Sequence, residues 1–317
     1  IKQVVNIWKQ EPAGSDNSLM SALQRNQELK TLVLDETPWV MDADNEADQK
    51  RMLTTFFDES AMDYRLASQL KDLKDLQNSD GSWSWWRGMR GSASITAQVL
   101  QTLARLNVMA GYQKATAKMI ENGMDYLRTV VMKEFEEMKR MEKKGQKPMI
   151  CDYHAIQYLY INTLLGKNPF YDSDYVELKN YLLKYLEADR HRDIYSKALM
   201  AVVLNGDGKA KKAKEYVESI RQYTVTKPGM GTYFDTWHAG YSWFDYRIPT
   251  QTAAIEALKA VDPADTETIN QMRLWLLQSK RTQAWDTPIN TVNAVYAFLD
   301  GNYKELSSDK EESMTLA

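Results

Sequence analysis

Residues 73–100 read LKDLQNSDGSWSWWRGMRGSASITAQVL, and this stretch decides the predicted fold. A helical pattern of the form Leu-x3-Gln ends at Gln77, and the polar turn 78–81 interrupts it. Trp83 follows the turn, where an aromatic side chain can wedge between helices. A second helical pattern opens with the small residues Thr96-Ala97. The stretch therefore predicts two helices joined by a turn that a tryptophan fills.

The same pattern recurs further along the chain. One later copy has Gln278, Trp285 and Asn293-Ala294, and a looser one has Gln222, Gly231-Thr232-Tyr233 and Thr252-Ala253. Small residues at the helix starts let neighbouring helices approach closely, and a glutamine side chain can satisfy backbone groups at a helix end. Each unit is one helical hairpin, which must stack or close into a ring with its neighbours to bury its apolar face.

Helical periodicity also dominates the rest of the chain. Apolar residues recur three and four positions apart, and clusters of Gly, Asp, Asn and Pro separate the segments. Strand-like alternation is confined to short pieces such as residues 3–8, so we predict an all-α fold. The predicted helices are 46–57, 60–77, 94–106, 115–144, 154–165, 175–186, 194–204, 209–223, 250–261, 266–278 and 289–299.

Residues 133–147, KEFEEMKRMEKKGQK, are charged and hold few apolar residues. Charge runs of this kind are usually solvated faces of helices. We interpret the run as a solvent-exposed extension of a helix.

The composition is that of a soluble globular protein, with 44% hydrophobic and 26% charged residues among 317. A net charge of −3 gives no reason to expect nucleic acid as a partner. The apolar runs are far shorter than the roughly 20 residues of a membrane span. The single cysteine, Cys151, excludes an internal disulfide framework but is compatible with the periplasm. Because the chain begins with Ile1 and lacks a leader, we expect it to be part of a longer polypeptide.

The turn at Trp83 carries a family resemblance. Gln77-x3-Gly81-x-Trp83 resembles the QW motif of terpene cyclases, whose helical hairpins close into an α/α-toroid. A closer resemblance is to the thioester-type domain of bacterial α2-macroglobulin-like proteins, which looks like the same toroid. It covers about residues 28–300 and rests on Asp80–Gly88 with Ser94–Ala97, on Glu36–Val40 upstream and on Tyr195–Leu199 downstream.

The resemblance implies an α/α-toroid of about five or six helical hairpins. The toroid would span residues 45–300, with residues 1–44 from a preceding domain and residues 301–317 as a linker to a following one. The family also implies a location outside the cytoplasm, in the periplasm or cell envelope, and a protease-trapping role. The implied partners are neighbouring domains of the same polypeptide and, as candidates, proteases.

One departure from the family changes the expected chemistry. Thioester-bearing members carry a Cys-x-Glu-Gln loop ahead of the glycine turn, whereas residues 1–79 contain no cysteine. Cys151 lies downstream and is followed by Asp152-Tyr153-His154, which does not match. We therefore predict a non-catalytic interaction or scaffold domain without covalent capture, with no catalytic residue, no cofactor and no metal.

An α/α-toroid enzyme is the alternative, either a glycan lyase or hydrolase or an isoprenoid-active enzyme. Residues 42–45, Asp-Ala-Asp-Asn, are close to the acid motif of class II terpene cyclases but end in Asn and are better placed to cap a helix at Glu46. Cys151, Asp152 and His154 include the zinc-ligand types of prenyltransferases. Zinc sites usually draw a ligand from a distant segment, so a thiol beside a surface histidine is the simpler interpretation.

Aromatic residues in the turns are the candidate interaction residues. Residues 231–247, GTYFDTWHAGYSWFDYR, form the richest stretch. Aromatic and arginine side chains are enriched at binding hot spots, but the same loop could also fill the mouth of the ring, and both interpretations stay open. Because the hairpins repeat with one polarity, we expect both aromatic turns at one end of the ring, facing a neighbouring domain. The candidates are Trp83, Trp85, Trp86, Arg87, Trp237, His238, Tyr241, Trp243 and Trp285.

Overall fold

The computed structural model describes residues 59–111, 113–148, 152–166, 172–188, 193–239, 247–282 and 287–300. The predicted helix at 46–57, the strand-like piece at 3–8 and the flanking segments 1–44 and 301–317 lie outside these residues. The chain divides into two compact units, Ile1–Asp72 with Phe298–Ala317, and Leu73–Ala297. The packing and the sites described below lie in the second unit.

Helices make up most of the described chain, and the all-α fold class is confirmed. None of these helices combines the length and the apolar composition that a membrane span needs. The other elements of the described residues are a short hairpin, β1 (Thr224–Lys227) with β2 (Gly231–Phe234), and the 3₁₀ turn Trp237–Ala239. The helices are α1 (Glu59–Asp75), α2 (Ala93–Ala110), α3 (Lys114–Lys143), α4 (Asp152–Leu165), α5 (Ser173–Ala188), α6 (Ile194–Gly206), α7 (Ala210–Arg221), α8 (Arg247–Val261), α9 (Thr266–Thr282) and α10 (Pro288–Leu299).

Two patterns of burial alternate along the second unit. Unbroken buried runs occur in the even-numbered helices, at 155–162 in α4, 194–204 in α6 and 248–258 in α8. The odd-numbered α7 instead buries one stripe, formed by Ala213, Val217 and Ile220. A helix buried on all sides belongs to a core, whereas a single apolar stripe belongs to a helix with a solvent face.

The contacts between helices follow this alternation. Helix α6 packs against both α4 and α8, α2 packs on α4, and α3 and α7 pack on the buried helices that precede them. This is the arrangement of successive helical hairpins, each with a more buried and a more exposed member. The closure of the hairpins into a toroid stays a prediction.

The turns at Gly81 and Gly231 are built alike. Both glycines have a positive φ, 85° and 82°. A Cβ on Gly81 would lie 2.1 Å from the backbone oxygen of Asn122 in α3, and a Cβ on Gly231 would lie 2.2 Å from the backbone oxygen of Gln271 in α9. Only glycine fits such a conformation and such a contact. Each turn therefore lies directly on the backbone of a half-exposed helix.

A glutamine amide ties each of these turns to that same helix. Gln77 Nε2 donates to the carbonyl oxygen of Gly81 at 2.9 Å and to that of Met119 in α3 at 3.0 Å. Gln251 Nε2 donates to the carbonyl oxygens of Thr232 and Met272, at 2.8 and 3.1 Å. The backbone-satisfying role predicted for Gln77 is confirmed. In the second turn Gln251, from the start of α8, takes this role instead of Gln222.

Trp83 fills the first turn as predicted. Its side chain is 2% exposed, and its indole N–H donates to the carbonyl oxygen of Leu73 at 3.0 Å. A Cβ on Gly123 of α3 would lie 2.8 Å from the indole ring, so the absence of a side chain there makes room for the tryptophan. In the second turn Tyr233 stacks on Trp275 of α9, with ring centroids 5.7 Å apart.

The β-hairpin is an element that the sequence-based interpretation missed. Thr224 pairs with Phe234, and Lys227 pairs with Gly231, in an antiparallel register. Helix α7 was predicted to end at residue 223 and ends at Arg221, and residues 224–227, which were predicted as neither helix nor strand, form β1. The β-branched residues of TVTK and the Pro-Gly turn that follows are the sequence signal that could have indicated it.

The charged run at 133–147 is helical to Lys143, as predicted, but it is not wholly exposed. Phe135 and Met138 are buried and continue the apolar stripe of α3. The Phe135 ring meets the Tyr181 ring of α5 edge-on at 4.9 Å, and the Lys139 ammonium lies 4.1 Å from the centre of the Phe135 ring. Phe135 therefore packs this segment against α5.

We expect Gly81→Ala to lower the free energy of unfolding by about 3 kcal/mol, because it adds a steric clash to the strain of a positive φ. Gly208→Ala is the matched control, since Gly208 has a φ of 75° and its Cβ would meet nothing within 4 Å. That variant should lose only about 1 kcal/mol. Urea denaturation followed by circular dichroism measures both, and equal losses would contradict the close contact with α3.

Candidate functional site

Side chains from four even-numbered helices meet at one buried ion pair. The Arg105 guanidinium of α2 lies 2.9 Å from the Glu256 carboxylate of α8, and the two side chains are 6% and 8% exposed. Tyr160 of α4 and Tyr296 of α10 donate their hydroxyls to Glu256 at 2.6 and 2.9 Å. Arg105 also donates to the Asn293 side chain of α10 at 2.7 Å. We call these five residues the central polar network.

A fifth helix, α6, reaches this region through its contact with Gln101 of α2. Gln101 lies one helical turn before Arg105 in α2, so the two side chains share a face. Its Oε1 accepts from the Tyr195 hydroxyl of α6 at 3.2 Å and from Gln157 Nε2 of α4 at 3.3 Å. Each even-numbered helix described in the second unit thus sends a polar side chain to one region.

Burial and neighbouring charges set the protonation states of the central polar network. Burial lowers the pKa of Arg105, but Tyr160 and Glu256 raise it more, so that this pKa lies well above its ordinary value. Burial is the largest cause that raises the pKa of Tyr160 well above its ordinary value. At neutral pH the guanidinium is therefore charged and the phenol is neutral, which keeps both as hydrogen-bond donors to Glu256.

The Glu256 carboxylate is occupied by these donors. Arg105, Tyr160 and Tyr296 all bind its two oxygens, and the side chain is buried. A general acid or base must exchange a proton with the substrate. The Glu256 carboxylate instead accepts hydrogen bonds from three side chains of the protein. The network is suited to hold helices in register. Loss of one partner would leave a buried charge uncompensated.

Sequence reasoning did not find the central polar network. Arg105 and Glu256 are separated by 151 positions, and no local motif links them. The available signal is a single charge within an otherwise apolar or small-residue segment, as in Leu103–Leu106 and Ala253–Leu258. Such a charge in a core helix predicts a buried partner, although it cannot name the partner.

Residues 84–91 form an exposed turn ahead of α2, here called the tryptophan turn. Trp85 and Trp86 are 57% and 69% exposed, and their ring centroids lie 6.3 Å apart. Arg87 and Met89 are exposed beside them. The structure thus brings together three of the predicted interaction residues. Exposed aromatic groups next to arginine are typical of binding surfaces.

Hydrogen bonds hold the tryptophan turn in one shape. The Ser92 N–H donates to the carbonyl oxygen of Trp83 at 2.9 Å and closes the turn. Inside it, the Ser84 hydroxyl and the Met89 N–H both donate to the carbonyl oxygen of Trp86, at 2.8 and 3.1 Å. Trp83 differs from the other candidates in this region because it is buried. It supports the turn from below and is not available to a partner.

The second aromatic region contains Trp237 and His238. Trp237 is 80% exposed, and its ring centroid lies 3.7 Å from that of His238. The His238 ring lies 5.3 Å from Tyr223. Behind them Lys197 donates to the Ser219 hydroxyl at 3.0 Å, and burial lowers the pKa of this lysine. Both predicted residues are therefore in contact with each other, with Trp237 on the surface.

Tyr241, Trp243 and Trp285 lie outside the described residues. The choice between interface and structural plug for the loop 231–247 therefore stays open. Cys151 is outside as well, which leaves the zinc alternative untested. Among the residues that the structure describes, no group of three or more His, Cys, Asp or Glu side chains could hold a metal ion.

Comparisons with known proteins add no family to this geometry. The chain matches no protein-family model, and a search of curated proteins found no match. The resemblance to the thioester-type domain of α2-macroglobulin-like proteins stays a prediction.

Glu256→Gln should lower the free energy of unfolding by about 3 kcal/mol, because it leaves the Arg105 charge buried without a counter-charge. Glu215→Gln offers a matched control at the surface, where Glu215 pairs with Lys212 at 3.0 Å and both side chains are about half exposed. That change should have no measurable effect on stability. Urea denaturation compares the two, and a similar loss in both would contradict the role given to the central polar network.

Proposed function

We propose that this chain is an interaction and scaffold domain of an α2-macroglobulin-like envelope protein, one that traps proteases without covalent thioester capture. The observation that carries the proposal is the exposed tryptophan turn, which internal hydrogen bonds hold in one shape. It belongs to a unit in which the central charged side chains, Arg105 and Glu256, bind each other. The α/α-toroid and the location outside the cytoplasm belong to the same proposal and rest on the resemblance of residues 28–300.

The central polar network supports the toroid part of this proposal. Arg105 of α2 and Asn293 of α10 are 188 positions apart and share a hydrogen bond. Glu256 accepts from α2, α4 and α10 at once. In an open stack each repeat contacts only its neighbours, so its first and last buried helices would lie apart. Contact between them is what a closed ring requires.

The same network favours a scaffold over the alternative of a toroid enzyme. An enzyme of this architecture needs convergent polar groups that face a ligand-sized pocket. Here Glu256 and Arg105 face each other and the phenols of neighbouring helices. Their hydrogen-bonding capacity is used to join helices.

The tryptophan turn is the surface that we assign to partner binding. Its two indoles offer large apolar area with little entropy to lose, because the backbone of the turn is already ordered. Arg87 adds a charged group that can form bidentate hydrogen bonds with a carboxylate of the partner. Trp237 is a second exposed aromatic side chain, separate in sequence from the tryptophan turn.

A protection assay tests the trapping role. The protein is mixed with trypsin, and cleavage of a large substrate, casein, is compared with cleavage of a short chromogenic peptide. A trap hinders large substrates and leaves small ones free to reach the protease, so casein cleavage should fall while peptide cleavage persists. Equal rates with and without the protein would overturn the proposal, and so would equal inhibition of both substrates.

The double variant Trp85→Ala and Trp86→Ala should weaken binding of the partner about tenfold or more, since exposed tryptophans are typical hot spots. Tyr64→Ala is the control, because Tyr64 is also aromatic and 78% exposed but lies on α1. The melting temperature of both variants should stay close to that of the parent. Calorimetric titration of the partner that the protection assay identifies measures the affinity, and unchanged affinity in the double variant would remove the tryptophan turn from the interface.

A further inference from the structure

Three helices bring Ser94, His154 and Glu134 together at the surface. Ser94 lies in the first turn of α2, His154 in the first turn of α4 and Glu134 in α3. The Ser94 hydroxyl lies 3.0 Å from His154 Nε2, at hydrogen-bond distance. His154 Nδ1 lies 3.8 Å from a carboxylate oxygen of Glu134. The three side chains thus form a line from a hydroxyl through an imidazole to a carboxylate.

The order of the atoms is that of a nucleophile, a base and an orienting acid. The serine meets Nε2 and the carboxylate faces Nδ1, which is the arrangement by which histidine-activated serines work. A carboxylate near Nδ1 favours the tautomer that carries its proton there, and in that tautomer Nε2 accepts from the Ser94 hydroxyl. Hydrogen bonds of such sites are often long without substrate, so the distance of 3.8 Å is compatible with this role.

The exposure of the three side chains also fits a reactive group. Ser94 is exposed, whereas the side chains of His154 and Glu134 are 18% and 33% exposed. The Ser94 hydroxyl is therefore accessible to a substrate, whereas the His154 imidazole is largely covered by the protein. A histidine that served only to join two helices would not need an accessible serine at its outer end.

Ser94 lies at the N-terminal end of α2. Ser92 caps α2, with its hydroxyl accepting from the Ile95 N–H at 3.4 Å. Ser94 is the second residue of the helix. First-turn N–H groups have no acceptor within the helix, and they stabilise negative charge at this end. When Ser94 Oγ bonds to an ester, the negative charge develops on the former carbonyl oxygen of the substrate, and the N-terminal end of α2 favours that charge.

We propose that Ser94 is a nucleophile for carboxylic esters, with His154 as its base and Glu134 as the positioning residue of His154. Ser94 Oγ bonds to the ester carbonyl carbon, and its proton passes to Nε2. The ester C–O bond then breaks, and the departing alcohol takes that proton. Water next attacks the acyl-serine, gives a proton to Nε2, and the Ser94 hydroxyl is restored as the carboxylic acid leaves.

The substrate class follows from the surroundings of Ser94. A serine on an open surface suits small soluble esters better than a substrate that needs a deep pocket. The tryptophan turn ends directly ahead of the Ser92 cap and supplies exposed apolar groups to this part of the chain. Short apolar acyl groups are therefore the expected substrates. This activity is independent of the proposed function and would revise the expectation of a domain without catalytic residues.

Labelling with a fluorophosphonate probe, followed by peptide mass spectrometry, tests the proposal. The probe forms a serine–phosphorus bond with loss of fluoride, and in the parent protein it should modify Ser94. Ser94→Ala should abolish the label. Ser173 is the matched control, since it is an exposed serine in the first turn of α5 whose hydroxyl bonds to Asp174 instead of a histidine. Ser173→Ala should label as the parent does.

Hydrolysis of p-nitrophenyl acetate gives the second measurement. His154→Gln should reduce the Ser94-dependent rate about a hundredfold or more, which is the usual contribution of a general base. Glu134→Gln should move the midpoint of the pH–rate profile to lower pH, because the lost negative charge no longer favours the imidazolium. A purely structural Glu134 would leave that midpoint unchanged.

Circular dichroism and melting temperatures establish that each variant is folded. A folded parent protein that is not labelled at Ser94 would overturn the proposal. So would a rate of ester hydrolysis that Ser94→Ala leaves unchanged. These outcomes are separate from the protease-protection assay, which does not involve Ser94.

Discussion

The buried ion pair of Arg105 and Glu256 is the interaction on which the second unit depends most. Two charges taken out of water carry a large desolvation cost, which is offset only when every donor and acceptor around them is matched. Here Tyr160, Tyr296 and Asn293 complete that match from two further helices. A shift of any of these four helices would leave a charge or a hydroxyl unpaired in the core. The pair therefore acts chiefly on specificity, because it admits one arrangement of the buried helices.

A second constraint places the half-exposed helices. Gly81 and Gly231 let their turns lie against the backbones of α3 and α9, and a glutamine amide links each turn to the same helix. The two turns differ in sequence, since the amide comes from Gln77 ahead of one turn and from Gln251 behind the other. The hydrogen-bond pattern is conserved between them although the residue positions are not. The two turns differ in what they expose, since Trp85 and Trp86 follow the first turn at the surface, whereas residues 231–234 of the second are buried.

Local periodicity was enough to predict the helices, because each needs only its own spacing of apolar residues and its own caps. The same reasoning failed where a neighbour decides the outcome. Phe135 and Met138 were assigned to an exposed charged run, but both are buried, Phe135 against Tyr181 of α5. TVTK was predicted as neither helix nor strand, and it becomes a strand because GTYF pairs with it. Trp83 was predicted to fill its turn and was also named as an interaction candidate, and its burial supports only the first of these.

By itself the amino-acid sequence determined the all-α class, the approximate positions of the described helices, and the glycine–aromatic turn at Trp83. These features depend on residues within a few positions of one another, so a linear pattern records them. Only the tertiary structure decided that Arg105 meets Glu256 and that Ser94 meets His154. Those contacts join helices that are far apart in the chain. The residues around a side chain in the sequence do not indicate which distant partner the packing brings within hydrogen-bond distance.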